Sequence, residues 1–187
     1  AAQGLLDAEP VLIHCTPART NALPSPPRGA AAGPANTWGR CAAQIFSGVS
    51  PSMHDEYDLA YNQELFAPFG LVYYGCCEPL HHKIDRLRRR FPNLRKVSIT
   101  PWADPDVAAD AIGKDFVLAA KPNPALVAGP RFDPAPVEAE ITKYLEAAKR
   151  NGTTVEFVLK DISTISGDPS VLTRWAATVA RAIDRYF

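Results

Sequence analysis

Phe69-Gly70-Leu71-Val72-Tyr73-Tyr74-Gly75-Cys76-Cys77-Glu78-Pro79 is the stretch whose reading decides the fold. An apolar run ends in two adjacent cysteines and a glutamate, and a proline then opens a helical pattern. Leu71–Cys76 predicts a strand. Leu80, Ile84, Leu87 and Phe91 follow at the spacing of one apolar helical stripe, with Asp85-Arg86-Leu87-Arg88-Arg89-Arg90 supplying a solvated face. Strand, polar turn and helix in that order is how α/β proteins place chemistry, because the loops at the carboxyl ends of parallel strands face a shared crevice.

Downstream the same unit recurs. Leu94–Ile99 predicts a strand ending at Thr100-Pro101-Trp102, and Asp104-Pro105 caps a short helix through Ile112 that Gly113 closes. Phe116–Ala120 predicts the next strand, ending at Lys121-Pro122-Asn123-Pro124. Asp133-Pro134 then starts a helix with Val137, Ile141, Tyr144, Leu145 and Ala148 inward, closed by Asn151-Gly152. Val155–Leu159 predicts a strand ending at Lys160-Asp161-Ile162-Ser163-Thr164. Asp168-Pro169 caps a last helix with Leu172, Trp175, Val179 and Ile183 on one side. Strands alternating with helices imply crossover connections and a parallel sheet, so the class is α/β.

Upstream, Ser50-Pro51 is a helix start, with Ser as N-cap and Pro at the first helical position. Met53, Tyr57, Tyr61 and Leu65 then recur at helical spacing until Pro68-Phe69-Gly70 stops the helix. Residues 1–36 form an irregular Pro/Ala/Gly-rich segment with one strand candidate at Val11-Leu12-Ile13-His14-Cys15, ahead of a β/α domain over 37–187. His14 and Cys15 read either as ligands or as residues buried beside that strand.

Composition narrows the function classes. The chain has 187 residues, 47% of them apolar, and 20 basic residues balance 20 acidic ones. With zero net charge, nothing in the balance argues for a nucleic-acid or membrane-surface partner, and the basic run Arg86–Arg90 reads as a solvated helix face. No apolar run approaches the roughly 20 residues of a membrane span. The four cysteines include an adjacent pair, a poor disulfide framework; reduced thiols and a cytoplasmic location are expected.

Parallel strands are buried on both faces, so polar residues concentrated at their carboxyl ends carry meaning. Cys76 and Cys77 read as a metal-ligand pair, as a reactive thiol pair, or as small buried hydrophobes; Glu78 adds a hard ligand or a base. Asp104 is accounted for by capping. Lys121 and Asp161 hold and polarise an anionic substrate or simply neutralise one another. His54, Trp102, Asn123 and Lys160 are candidate substrate-binding residues on the same rim, and the implied ligand is a small molecule.

Gly48-Val49-Ser50-Pro51-Ser52-Met53-His54-Asp55-Glu56-Tyr57, Phe69–Pro79, Asn93-Leu94-Arg95-Lys96-Val97-Ser98, Lys121–Pro124 and Leu159–Thr164 together resemble the uroporphyrinogen decarboxylase superfamily, in its uncharacterised branch related to corrinoid and zinc methyltransferases. The resemblance covers roughly Thr37 to the C-terminus. It implies the C-terminal half of a (β/α)₈ TIM barrel, an incomplete barrel, since a full one takes about 250 residues. The chain is then a fragment, a truncated gene product, or a half that pairs with another chain or within a homo-oligomer.

The resemblance also implies activities. The decarboxylases, which need no cofactor, use an aspartate and arginines from the N-terminal half that have no match here, and a histidine where this chain has Lys160-Asp161. Decarboxylation of a tetrapyrrole-like or other carboxylated substrate is therefore the weaker implication. The methyltransferases carry His-x-Cys at a strand end; here Tyr74-Gly75-Cys76 or Gly75-Cys76-Cys77 stands in its place. The reading that follows is a methyltransferase-type enzyme with zinc on Cys76 and Cys77, its shell completed by Glu78, Asp161, His54 or His81, and a corrinoid protein as methyl-donor partner. The alternative from another class is a non-catalytic half-barrel module that needs a partner chain.

Overall fold

The computed structural model describes residues 11–13, 16–18 and 20–187. Strands β1 (Val11–Ile13) and β2 (Thr16–Ala18) pair antiparallel as a small hairpin. His14 and Cys15 lie outside the described residues. The main sheet has five strands in sequential order: β3 (Trp38–Cys41), β4 (Leu71–Tyr74), β5 (Leu94–Ile99), β6 (Val117–Ala120) and β7 (Thr154–Phe157). Every neighbouring pair is parallel.

The connections are helical. Between β3 and β4 a single helical run consists of α1 (Pro51–His54), a π segment (Asp55–Leu59) and α2 (Ala60–Phe66). Helices α3 (Ile84–Arg90), α4 (Pro105–Ile112), α5 (Ala125–Ala128), α6 (Pro134–Asn151) and α7 (Ser170–Tyr186) follow. Ser50 Oγ accepts from Met53 N, and the Asp104 and Asp133 side chains accept the first N–H groups of α4 and α6. Gly113 and Gly152 close those two helices at φ 56° and 65°. No helix among the described residues is long and apolar enough to cross a membrane.

A parallel sheet wound in one direction carries its crossovers on one face, because they share one hand. The core shows this layering. Cys41, Val72, Tyr74, Val97, Ile99, Leu118 and Ala120 point from the strands into one cluster with residues of the π segment, α3, α4 and α6. The alternate residues Trp38, Tyr73 and Ala119 form a separate cluster with Leu23 and Leu71 that contains no helix residue. That second face is polar for a sheet: Lys96 pairs with Glu156 at 2.6 Å, and Arg40 and Lys121 lie over the Tyr73 ring. Helices outside and a polar inner face make this an α/β layer resembling half of a β/α barrel, and among the described residues the sheet does not close.

Strand β3 was not expected. Trp38-Gly39-Arg40-Cys41 is short and interrupted by glycine and arginine, and the glycine is required because a Cβ there would meet Phe66 and Phe69. Strand β4 ends at Tyr74, two residues before Cys76, because Gly75 turns the chain at φ 98°. Met53, Tyr57, Tyr61 and Leu65, which recur at helical spacing as expected, lie on the exposed side of the helical run before β4, from 47% to 72% exposed. The buried side of that run holds His54 and Leu59, five residues apart, the spacing of the π turn. On α7 the buried residues are Val171, Trp175, Thr178, Val179 and Ala182, while Leu172 and Ile183 lie more than a third exposed.

Candidate functional site

The polar residues after β4, β5, β6 and β7 converge on one cavity of about 380 Å³ at the carboxyl edge of the sheet. Cys76, Cys77, Trp102, Lys121, Asn123, Lys160 and Asp161 all line it, together with Thr100, three prolines and the α5 residues Ala125 and Ala128. The walls are therefore mostly hydrocarbon, with thiols, ammonium groups and a carboxylate on one side. His54 and Glu78 are not among the lining residues.

The turn that presents the thiols is tied down. Gly75 has no room for a side chain: a Cβ would overlap Leu80 Cδ1 and lie 3.0 Å from Ser98 Cβ. Ser98 Oγ donates to the Cys76 carbonyl at 2.7 Å. Glu78 is 2% exposed and its carboxylate is engaged by backbone, Oε2 accepting from Cys76 N at 2.8 Å and Oε1 from Ala43 N at 3.0 Å. Glu78 thus splints the turn to the end of β3 rather than facing the cavity.

Lys160 is the centre of the polar group. Its side chain is 5% exposed, and Nζ donates to Cys77 Sγ at 2.7 Å and Cys76 Sγ at 3.1 Å while lying 2.8 Å from Asp161 Oδ2. Cys77 Sγ donates to Asp161 Oδ2 at 3.2 Å. The two sulfurs are 3.7 Å apart, too far for the roughly 2.05 Å of a disulfide; among the described cysteines Cys41, Cys76 and Cys77 are free. Asp161 adopts φ 55°, a left-handed conformation aspartate tolerates, which turns its carboxylate back onto the thiol.

The charges follow from these contacts. Burial raises the Cys77 thiol, Lys160 pulls it down, and Asp161 and Cys76 push it up again, so that together they bring it to about 11. Burial alone would lower Lys160, but hydrogen bonds to Asp161 and both sulfurs raise it above the ordinary lysine value. Burial would raise Asp161, and it is outweighed by hydrogen bonds from Lys160 and Cys77 and by the charges of Lys160 and Lys121, which hold the carboxyl below the usual range. At neutral pH the resting group is a thiol between an ammonium and a carboxylate.

Lys121, 2% exposed, ends β6; its Nζ donates to Tyr73 OH at 3.3 Å and lies 5.5 Å from the Tyr73 ring centroid. Trp102 stands 74% exposed at the cavity rim. Asn123 has structural partners as well: Oδ1 accepts from Ala125 N at the start of α5, and its N–H donates to both Glu140 oxygens.

His54 lies elsewhere, on the helix side of the sheet. It is fully buried, stacked on Phe46, with Nε2 2.8 Å from Tyr74 OH and 3.2 Å from Asp58 Oδ2. His81 packs against the His82 ring and does not line the cavity. Of the residues considered as zinc ligands, only Cys76, Cys77 and Asp161 are brought together. Lys160 Nζ sits within bonding distance of all three, in the space a zinc ion would take. Among the described residues no group of three or more His, Cys, Asp or Glu side chains is arranged to hold a metal ion. As placed, the residues do not fit zinc; the cation of the thiol pair is Lys160.

Sequence reasoning missed Ser98 and Glu140, the residues that fix the two loops. Ser98 carried a signal: a hydroxyl inside the otherwise apolar end of Leu94–Ile99. Glu140 lies mid-helix in α6 and carried none.

No family model, curated protein or solved structure matches this chain.

Proposed function

We propose that this chain is a group-transfer enzyme of the methyltransferase type, in which Cys77 Sγ takes an alkyl group from a small anionic donor. The observation that carries this reading is the position of Lys160 Nζ between two thiols in an apolar cavity, with Asp161 accepting the Cys77 S–H bond. The ammonium groups of Lys121 and Lys160 attract the anionic part of the donor. The apolar walls remove water, which strengthens those interactions.

In the transfer step an S–C bond forms at Cys77 as the bond from carbon to the leaving group breaks. The leaving group departs with its electron pair beside the ammonium groups. The S–H proton passes along its hydrogen bond to Asp161, which its lowered pKa keeps ionised and able to accept. Cys76, more buried, stays a spectator whose sulfur helps to hold Lys160 in place.

The test is alkylation by two reagents that differ in charge, iodoacetate and iodoacetamide, read by peptide mass spectrometry. The expected result is modification of Cys77 with an iodoacetate-to-iodoacetamide rate ratio above that of a free small thiol, and a return to the free-thiol ratio in Lys121→Met. Equal ratios in wild type and free thiol, or modification of Cys76 ahead of Cys77, overturn the reading.

A further inference from the structure

The strongest feature outside the thiol site is a pair of matching surfaces at the two ends of the sheet. Among the described residues β3 and β7 each have one strand neighbour. Each of these end strands is accompanied by a helix with an apolar stripe facing away from the layer. Beside β3, Met53, Tyr57, Tyr61 and Leu65 are 47–72% exposed. They lie opposite the side that α3 holds, where Arg90 reaches Asp55 at 2.8 Å and Gln63 at 3.2 Å. Beside β7, Leu172, Ile183 and Phe187 are 36–77% exposed. At about 100° per residue they fall within roughly 60° of one another. Arg185, which ties α7 to Glu138 of α6, falls on the other side.

Inside the chain the same junction is made repeatedly. A parallel strand docks on the edge of the preceding strand, and its helix packs on the preceding helix, as in β5 against β4, β6 against β5 and α7 against α6. At the β7 end that junction is left half made. A cavity of about 420 Å³ lies there between the end of α6, the start of β7 and the end of α7, with Leu145, Ala148, Val155, Ile183 and Phe187 as its apolar lining and Lys149, Thr153 and Thr154 as its polar lining. The surface that would continue it is another β-strand edge with an apolar helix beside it, which is what the β3 end of the same chain presents.

We infer that the chain associates with a second copy of itself head to tail, the β7/α7 end of one copy receiving the β3/α2 end of the other. The new junction extends the parallel sheet and sets Leu172, Ile183 and Phe187 against the Met53–Leu65 stripe. It is a heterologous contact: two copies close it when both pairs of ends meet, and otherwise further copies add. A strand that lacks a neighbour on one side is itself a template for such pairing. The inference is independent of the thiol chemistry proposed above.

The test is the mass of the reduced full chain in solution by light scattering, with Tyr61→Glu and Phe187→Glu as separate variants. Both positions are strongly exposed, and far-ultraviolet circular dichroism confirms that each variant is folded. The expected result is a wild-type mass of at least twice the 20.3 kDa monomer, the monomer mass for each variant alone, and a dimer when the two variants are mixed. The mixture regains one intact junction because each variant keeps the end the other has lost. A monomeric wild type overturns the inference, and so does loss of association in only one variant or failure of the mixture to dimerise.

Discussion

The ammonium nitrogen of Lys160 lies 2.7 Å from the sulfur of Cys77, a residue 83 positions earlier in the chain. The two meet because β4 and β7 end on the same edge of the sheet. Their partnership fixes the ionisation of the whole group. Lys160 is held charged by two sulfurs and Asp161, and Cys77 is held as a thiol by burial and by donating to Asp161.

The first consequence is a pH profile. Below about 11 the resting Cys77 thiol is protonated. Its reaction with a neutral reagent such as iodoacetamide should therefore rise about tenfold per pH unit across the neutral and mildly alkaline range. Lys160→Met removes the hydrogen bond that lowers the thiol, so its profile should shift to still higher pH and the rate at any fixed pH should fall. Stopped-flow alkylation across pH checks both. A profile already flat at neutral pH in wild type would mean that the thiol is ionised there.

Asp161 should leave a different mark. With an anionic reagent seated beside the lysines, wild type should show a floor near neutral pH, where the ionised carboxylate accepts the thiol proton as the S–C bond forms. In Asp161→Asn the floor should disappear and the rate should keep falling tenfold per unit toward acid. The same variant should react faster than wild type in the alkaline limb, because its carboxylate no longer raises the thiol. Crossing profiles separate a base from a residue that merely shapes the cavity.

Some elements of this chain are legible in the sequence and others are not. Asp104-Pro105, Asp133-Pro134, Gly113 and Gly152 act through their immediate neighbours, so the helix ends they mark are legible in the chain. Leu94–Ile99 is legible through Leu94, Val97 and Ile99, which join the core beneath the helices, although Arg95, Lys96 and Ser98 interrupt the apolar run. The Met53–Leu65 spacing is legible as helical, but that its face is exposed while His54 and Leu59, five residues apart across the π turn, are buried is set by packing against the rest of the chain. Strand β3 was missed because Gly39 and Arg40 break its apolar run, and packing of Phe66 and Phe69 over the glycine is a tertiary fact. At the site, the residue types at four strand ends were legible. What they touch was not: that Glu78 turns inward to two backbone N–H groups, and that Lys160 reaches the thiols, depends on how the ends are spaced across the sheet.

Asp55 offers a test of the helix layer rather than of the site. Arg90 bonds both of its oxygens and Arg86 lies 3.5 Å away, and these partners hold its carboxyl below the usual 3.8 against the effect of burial. A depressed folded value contributes stability above the unfolded value and loses it as pH falls through the folded one. Asp55→Asn should therefore cost on the order of 1 kcal/mol near neutral pH. The gap should narrow below about pH 4 and vanish in stronger acid. Urea titrations of both proteins at several pH values supply the measurement, and a gap independent of pH would assign the loss to packing alone.

Glu78 is the residue on which the turn depends, and its isosteric amide separates that duty from catalysis. Both carboxylate oxygens accept buried backbone N–H groups, from Cys76 and from Ala43. In Glu78→Gln one oxygen is replaced by a donor facing a donor, which should cost about 1–3 kcal/mol of stability. The freed end is the Cys76 N–H or the Ala43 N–H. Either way β3 and the thiol turn lose their shared splint, and Lys160 loses the fixed geometry that lets it reach both sulfurs. The expected result is a lower melting temperature together with alkylation of Cys76 as well as Cys77. Glu78→Asp, which keeps two oxygens but shortens the reach, should restore part of the stability and little of the selectivity for Cys77. If Glu78→Gln is as stable as wild type, the carboxylate is not the splint. If it is destabilised yet Cys76 stays unreactive, Ser98 and its 2.7 Å bond to the Cys76 carbonyl hold the turn without it.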